Sequence, residues 1–274
     1  MSPLLDAAWR ALVYCLHPRV VVLSFLPLVL MLALAFVFGY WLWDPAVQAL
    51  SQALQSAQLL QALLNWLSLL GLGDLRTAFA PLLLVVLITP VVVVLCLLLV
   101  SLFMTPAMVG LVAERRFPAL LRLRGASWWS SLWWSLGATA LAVLALVLTL
   151  PLWWVPPFVL VVPPLIWGWL TYRVFAFDAL ADHATEEERH AILQRHRWPL
   201  WGMGVVTGYL GAAPSVLWAS GSLFVVFAPV LLPLAIWIYT WVLAFSSLWF
   251  AHYTLALLAS KRMARSAAES SEVF

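Results

Sequence analysis

Between Arg76 and Glu114 the chain carries no Asp, Glu, Lys or Arg: 37 consecutive residues, Thr77 to Ala113, are uncharged. As a helix this run would reach roughly 55 Å, against about 30 Å for the hydrocarbon core of a bilayer. It specifies a span that crosses a membrane and emerges beyond it. The run ends in Pro106-Ala-Met-Val-Gly110-Leu-Val-Ala-Glu114-Arg-Arg, where small and helix-bending residues give way to a basic cluster. At 65% hydrophobic and 9% charged, the chain lies far from the soluble norm of about 25% charged. Its 274 residues suit one polytopic membrane domain, 1–265, and leave no polar stretch for a separate soluble one. The net charge of +3 is small and scattered, which excludes a nucleic-acid partner. Cys15 and Cys96 each sit in or beside an apolar run with no second thiol near, so neither a disulfide framework nor a metal set is offered.

Taken in order, residues 1–19 predict a short amphipathic lead-in, with Trp9, Leu12, Val13 and Leu16 at helical spacing and Asp6 and Arg10 on the other face. Pro18 ends it and Arg19 stands at the mouth of a first span, about 20–43, whose length exceeds that of a cleavable signal. Tyr40, Trp41 and Trp43 form its aromatic belt. Residues 45–70 read as an amphipathic helix striped by Gln48, Gln52, Gln55, Gln58, Gln61 and Asn65, broken at Gly71-Leu-Gly73. The stripe places that helix at the interface or against a partner, or else as a solvated loop helix. After the long span, 77–113, come two apolar stretches interrupted by proline. Helices of about 130–150 and 159–175 are separated by Pro151, Pro156 and Pro157, with Pro163 and Pro164 beyond; helices of about 199–228 and 234–259 are separated near Gly211–Gly221, Pro229 and Pro233. Each pair reads as a Pro-broken hairpin, open to penetrating the bilayer only partly if protein covers its irregular backbone. Between them lies the one conspicuously charged segment, Arg173–Arg197, where Thr185 and Glu188 make a capping box. Residues 266–274 read as a disordered tail. The fold class is all-α integral membrane, with two long transmembrane helices and two hairpins. Basic residues at 10–19, 115–124, 173–197 and 261–265 share one side, which places both termini in the cytoplasm.

No catalytic constellation stands out, and the chain is not read as an enzyme. Asp178, Asp182, His183 and Glu187 lie close in sequence, but their spacing fits no metalloprotease pattern and reads as a solvated face. His252 is an ionisable residue inside an apolar run, a functional candidate by that fact and a packing or interfacial histidine on the other reading. An anion path needs donors without acceptors, and helix starts supply them. His17-Pro18-Arg19-Val20 is such a place: a break, a proline, then a helix start with a guanidinium beside it. Pro18, Arg19 and Val20 are therefore the candidate anion-binding residues, against Arg19 as a topology anchor snorkelling to headgroups. No metal site and no cofactor are called.

The order of these parts and three local motifs resemble the CysZ sulfate-permease family, which belongs with the etoposide-induced membrane proteins. The motifs are Ala8-Trp9-Arg10 through His17-Pro18 to Phe25-Leu26-Pro27; Pro106 followed by Gly110-Leu-Val-Ala-Glu114; and Tyr172-x-x-Phe175-x-Phe177-Asp178. The resemblance covers about 5–260. It implies a bacterial inner-membrane protein that mediates sulfate uptake for cysteine synthesis without ATP or a cofactor, and that assembles as a homo-oligomer. Family members with the sulfate role carry a Gly-hydrophobic-Arg-Arg run just after the proline of the first motif; here those positions are Arg19, Val20, Val21 and Val22. The expected function is a permease or channel-like transporter for a small inorganic anion, sulfate first. The alternative is a non-transporting membrane scaffold that binds partners through the 173–197 and 45–70 helices.

Overall fold

The computed structural model describes residues 3–56, 81, 83, 84, 88, 92, 103–123, 125, 127–212 and 222–272. Among the described residues the regular structure is all helical, with no strand. Among those residues three helical stretches are long and apolar enough to cross a bilayer: Pro18–Gln52, Trp129–Leu152 and Val230–Ser271. The glutamine stripe beyond residue 56, the Gly71–Gly73 break, Cys96 and most of the 77–113 run lie outside the described residues.

Contacts divide the chain into two units. The smaller, Leu26–Val100, contains α3 (Leu26–Val37), a π-helical turn at Phe38–Leu42 and α4 (Trp43–Ser56). Gly39 lies in the π turn, and Asp44 in the first turn of α4 complements that helix's dipole.

The larger unit, Met1–Phe25 and Ser101–Phe274, is built on a long helix near the C-terminus. Its elements are α1 (Pro3–Cys15), α2 (Pro18–Ser24), α5 (103–116), α6 (Trp128–Thr149), α7 (Pro156–Ala181), α8 (Glu186–Arg195), α9 (Arg197–Ala212) and α10 (Ser222–Glu272). α1 packs on α10 through Ala7, Ala11 and Cys15, a stripe of small residues four apart that is fully covered. Trp9, Leu12, Val13 and Leu16 face outward. In water that arrangement would be inverted; against lipid it is the economical one, because acyl chains solvate large apolar side chains while small ones let helix backbones approach. Trp249 Nε1–H donates to the Leu4 carbonyl at 3.1 Å and fixes the start of α1 against α10.

α6 and α7 form a hairpin closed by a 3-10 turn, Leu150–Trp154, which contains Pro151. The Trp134 ring stacks on Phe177 at 4.9 Å, lies under the Arg173 guanidinium at 4.1 Å, and donates from its indole N–H to the Arg173 carbonyl at 3.0 Å. Pro163 and Pro164 do not end a helix; they lie inside α7. Pro233 likewise lies inside α10. Helix-breaking residues persist in membrane helices where neighbouring helices re-satisfy or shield the freed backbone. Here α9 lies along α7. At their crossing Gly168 faces Gly204 and Val205: a Cβ on Gly168 would stand 2.7 Å from the Val205 backbone, and one on Gly204 would strike the Gly168 carbonyl. Gly208, four residues on, continues the same close approach.

α8 is the charged helix. The Thr185 hydroxyl accepts from the Glu188 N–H at 3.2 Å and the Glu188 carboxylate accepts from the Thr185 N–H at 3.1 Å, a complete capping box. That carboxylate is also held by Arg262 of α10, at 3.0 Å from Nε and 2.8 Å from Nη2, while Arg262 Nη2 reaches the His183 carbonyl at 2.7 Å. Arg189 is buried with its guanidinium 4.4 Å from the Phe177 ring. α10 runs past 259 to Glu272, through the segment whose composition predicts no order; Ala, Arg and Glu there are strong helix formers, and Arg265 pairs with Glu269 at 2.9 Å.

Two predictions follow from this packing. Gly204→Val forces apart two helix backbones, an overpacking cost of about 1–3 kcal/mol or more. It should lower the thermal midpoint of the detergent-solubilised protein by several degrees, whereas Gly202→Ala, which meets open space, should leave it within about a degree. The hydrogen bond from Arg262, then the Thr185 cap and the Arg262 charge, hold the Glu188 carboxyl below its ordinary 4.5. A depressed carboxyl stabilises the fold above the unfolded value and loses that contribution as pH falls through the folded one. Thermal melts of wild type should therefore weaken below about pH 4.5, and those of Glu188→Gln should start about 2 kcal/mol lower and show a flatter acid limb.

Candidate functional site

The end of α1 and the start of α2 share one histidine. His17 is extended (φ −67°, ψ 135°) and Pro18 takes the first helical position of α2, where its fixed φ fits and its missing N–H removes nothing. The His17 Nδ1 accepts from the Arg19 N–H at 3.2 Å, and the His17 carbonyl accepts from the N–H groups of Val20 (2.8 Å) and Val21 (3.0 Å). Desolvation first, then the charges of Arg115 and Arg19, push His17 below its ordinary pKa, which favours the unprotonated Nδ1 that this cap requires. The backbone donors of residues 19–21 are thus engaged within the chain. What the turn offers outward is the Arg19 side chain, 70% exposed, while Val20 is fully buried.

Arg19 does not stand alone. With Leu23 of α2, Pro106, Gly110 and Glu114 of α5, and Arg122 of the following loop, it lines a cavity of about 300 Å³. That volume holds on the order of ten waters, ample for a tetrahedral oxyanion with part of its hydration. Arg122 Nη2 donates to Glu114 Oε1 at 3.3 Å, and Arg19 Nη1 lies 4.0 Å from Glu114 Oε2. Two cations from different segments therefore flank one carboxylate. Gly110 provides bare backbone beside them: a Cβ there would stand 3.7 Å from Arg122 Nη2, in ordinary contact. All three charged groups are more than half exposed, so each pair is worth little, about 0–1 kcal/mol.

His252 sits elsewhere in the larger unit. It is fully buried, its Nδ1 lies 3.1 Å from Arg116 Nη1, and Tyr14 meets its ring edge-on at 4.7 Å. A guanidinium only donates, so Nδ1 accepts and the proton of the neutral ring lies on Nε2, which has no partner among the described residues. Arg116 also donates to Asp6 at 3.1 Å, and Asp6 takes Arg10 at 2.9 Å. The hydrogen bond from Arg10 chiefly, with both arginine charges, holds the Asp6 carboxyl below its ordinary value. The network ties α1, α5 and α10 together. Of the charged run near α8, His183 is buried, and its carbonyl is taken by Arg262.

The sequence presents Pro18, Arg19 and Val20 as one candidate anion-binding turn. The structure brings Arg19 to a cavity, and gives Pro18 and Val20 the work of building and anchoring that turn. Glu114 and Arg122 were not singled out as site residues, since a basic cluster after an apolar run reads first as topology. The signal for Glu114 was its place at the end of the Gly110-Leu-Val-Ala-Glu114 motif. Arg122 carried no local signal, because only the loop's return brings it over Gly110.

A family model described as Sulfate transporter CysZ/Etoposide-induced protein 2.4 matches residues 7–221. No curated protein and no solved structure matches the chain. The matched stretch includes all three motifs and the whole Arg19, Glu114 and Arg122 cavity, and on that extent the chain belongs to the sulfate transporter CysZ/etoposide-induced protein 2.4 family.

Proposed function

We propose that this chain is a permease or channel-like transporter for a small inorganic anion, sulfate first, feeding cysteine synthesis across a bacterial inner membrane. The observation that carries the reading is the pair of guanidinium groups, Arg19 and Arg122, converging from separate segments on one cavity of about 300 Å³. Arginine offers planar, multidentate donors suited to an oxyanion. Arg122 supplies from the loop a second charge that the Val21-Val22 sequence does not. On this reading Arg19 binds the anion, Pro18 and Val20 hold its turn in place, and His252 positions Arg116 within the bundle. The chain works as one polytopic domain in a homo-oligomer, and its basic ends put both termini in the cytoplasm. Membership of a transporter family supports the class. The scaffold alternative gains nothing specific, because the charged α8 directs Glu188 and Arg189 to partners inside its own chain.

The test is uptake of radiolabelled sulfate into proteoliposomes. Charge-assisted hydrogen bonds contribute about 1.5–3 kcal/mol, so Arg19→Ala should cut uptake at subsaturating sulfate by roughly ten- to a hundredfold while the melting profile stays normal. Arg122→Ala should lose a smaller part. Unlabelled sulfite and thiosulfate should compete with sulfate, and chloride should compete poorly. Wild-type uptake no greater than that of empty vesicles, or full uptake by Arg19→Ala, would refute the reading.

A further inference from the structure

Among the described residues of the larger unit, Glu188 and Glu114 each face arginine from another segment, and the two arrangements are built differently. The Glu188–Arg262 pair is bidentate at 2.8 and 3.0 Å, and its side chains are 16% and 25% exposed. It has the short distances of a strong charge-assisted bond. Glu114, by contrast, is 60% exposed, reaches Arg122 at 3.3 Å and stands 4.0 Å from Arg19. One contact is long and the other is too far to be a hydrogen bond. A pair meant to lock the loop to α2 would close both contacts. This one leaves the Arg19 guanidinium donors open toward the cavity, with a carboxylate parked between the two cations.

A carboxylate is itself a small oxyanion. Its two oxygens address the same donors that an incoming tetrahedral anion would use, and it is carried on a flexible side chain at the cavity wall. We propose that Glu114 is a tethered competitor for the anion site: it occupies the space between Arg19 and Arg122 when the site is empty and swings out to solvent when an oxyanion binds. This inference rests on the anion-site reading above and adds to it a residue that opposes binding. A tethered group acts at an effective concentration on the order of millimolar, so only an anion that engages both guanidinium groups displaces it efficiently. Exposed pairs of this kind favour the closed arrangement only a few-fold, and an anion that must wait for the open fraction binds more weakly in that proportion. The gate is therefore shallow: it holds off adventitious anions without trapping the arginines.

The sign of one substitution separates this role from a structural one. If Glu114 merely positions the two arginines, Glu114→Gln disperses them and weakens sulfate binding. If it competes, Glu114→Gln frees them and strengthens binding by roughly two- to tenfold. The measurement is equilibrium binding of radiolabelled sulfate to the purified full-length chain in detergent, for wild type, Glu114→Gln, Glu114→Asp and Arg19→Ala, each checked for folding by its melting profile. The expected order is Glu114→Gln tighter than wild type, Glu114→Asp close to wild type, and Arg19→Ala weakest. Unchanged or weaker binding by a folded Glu114→Gln overturns the competitor role while leaving the anion site standing. Wild-type binding that Arg19→Ala does not diminish, or no binding by any of the proteins, overturns the anion site itself and the competitor with it. Should Glu114→Gln fail to fold, Glu114→Ser carries the same comparison.

Discussion

Inside a bilayer, burying apolar surface gives helices no reason to associate, because lipid solvates leucine as well as another helix does. What holds the larger unit together is therefore closeness of approach and satisfied polar groups. Gly168 against Gly204 and Val205 expresses this at a helix crossing, since no side chain of any kind fits between those backbones. That crossing fixes α9 along α7, and α7 in turn carries α6 through the stack of Trp134, Phe177 and Arg173. Small residues do the same for α1 on α10. The large apolar side chains are left for the lipid, which is why so many tryptophans and leucines of this protein are exposed.

Charge is handled by the opposite rule. It is scarce, it sits largely outside the apolar runs, and several of its covered members have specific partners: Arg262 with Glu188, Arg116 with Asp6 and His252, Arg189 over Phe177. Against this background the cavity of Arg19, Glu114 and Arg122 differs in kind, being open, loosely paired and richer in positive than negative groups. The other ion pairs among the described residues close at 2.8–3.1 Å, and this one is left unsaturated. That contrast, more than the presence of arginine, is what supports the proposed anion site.

Much of the architecture was legible in the sequence because membranes impose long, visible patterns. The uncharged span after Arg19, Pro151 at the turn between α6 and α7 and Thr185 with Glu188 at capping-box spacing are all local signals. The family was legible too, from motifs short in themselves but fixed in order. Other features were not. Pro163, Pro164 and Pro233 read as interruptions, yet they lie within helices, because sequence alone does not show which neighbour shields the freed carbonyls. The apolar face of α1, Trp9 to Leu16, is outward as an amphipathic helix against lipid requires, but the small-residue stripe of Ala7, Ala11 and Cys15 that seats it carries no signal in hydropathy. Gly204 and Gly208, four apart in an apolar run, carry the sequence signal of a close helix crossing. At the candidate site the sequence pointed to Arg19 and to the backbone beside it. The His17 ring and carbonyl take those backbone donors, a local competition that spacing does not reveal. The pairing of Arg19 and Arg122 around Glu114 depends on a loop returning over Gly110, which is a property of the fold.

The long final helix gives these contacts a mechanical relation. Trp237 reaches α2, where it donates to Ser24 at 3.2 Å and stacks on Phe25; His252 reaches Arg116; Arg262 reaches α8. Along a helix axis those points are roughly 22 Å and 15 Å apart, and no glycine or proline lies between Leu234 and Glu272 to bend the rod. Such a helix resists flexure over its whole instrumented length. The contacts to the α2 turn and to the capped, charged segment are therefore held in register along one unbroken helix. α10 is in this sense the spine on which the turn bearing Arg19 and the charged helix α8 are both mounted.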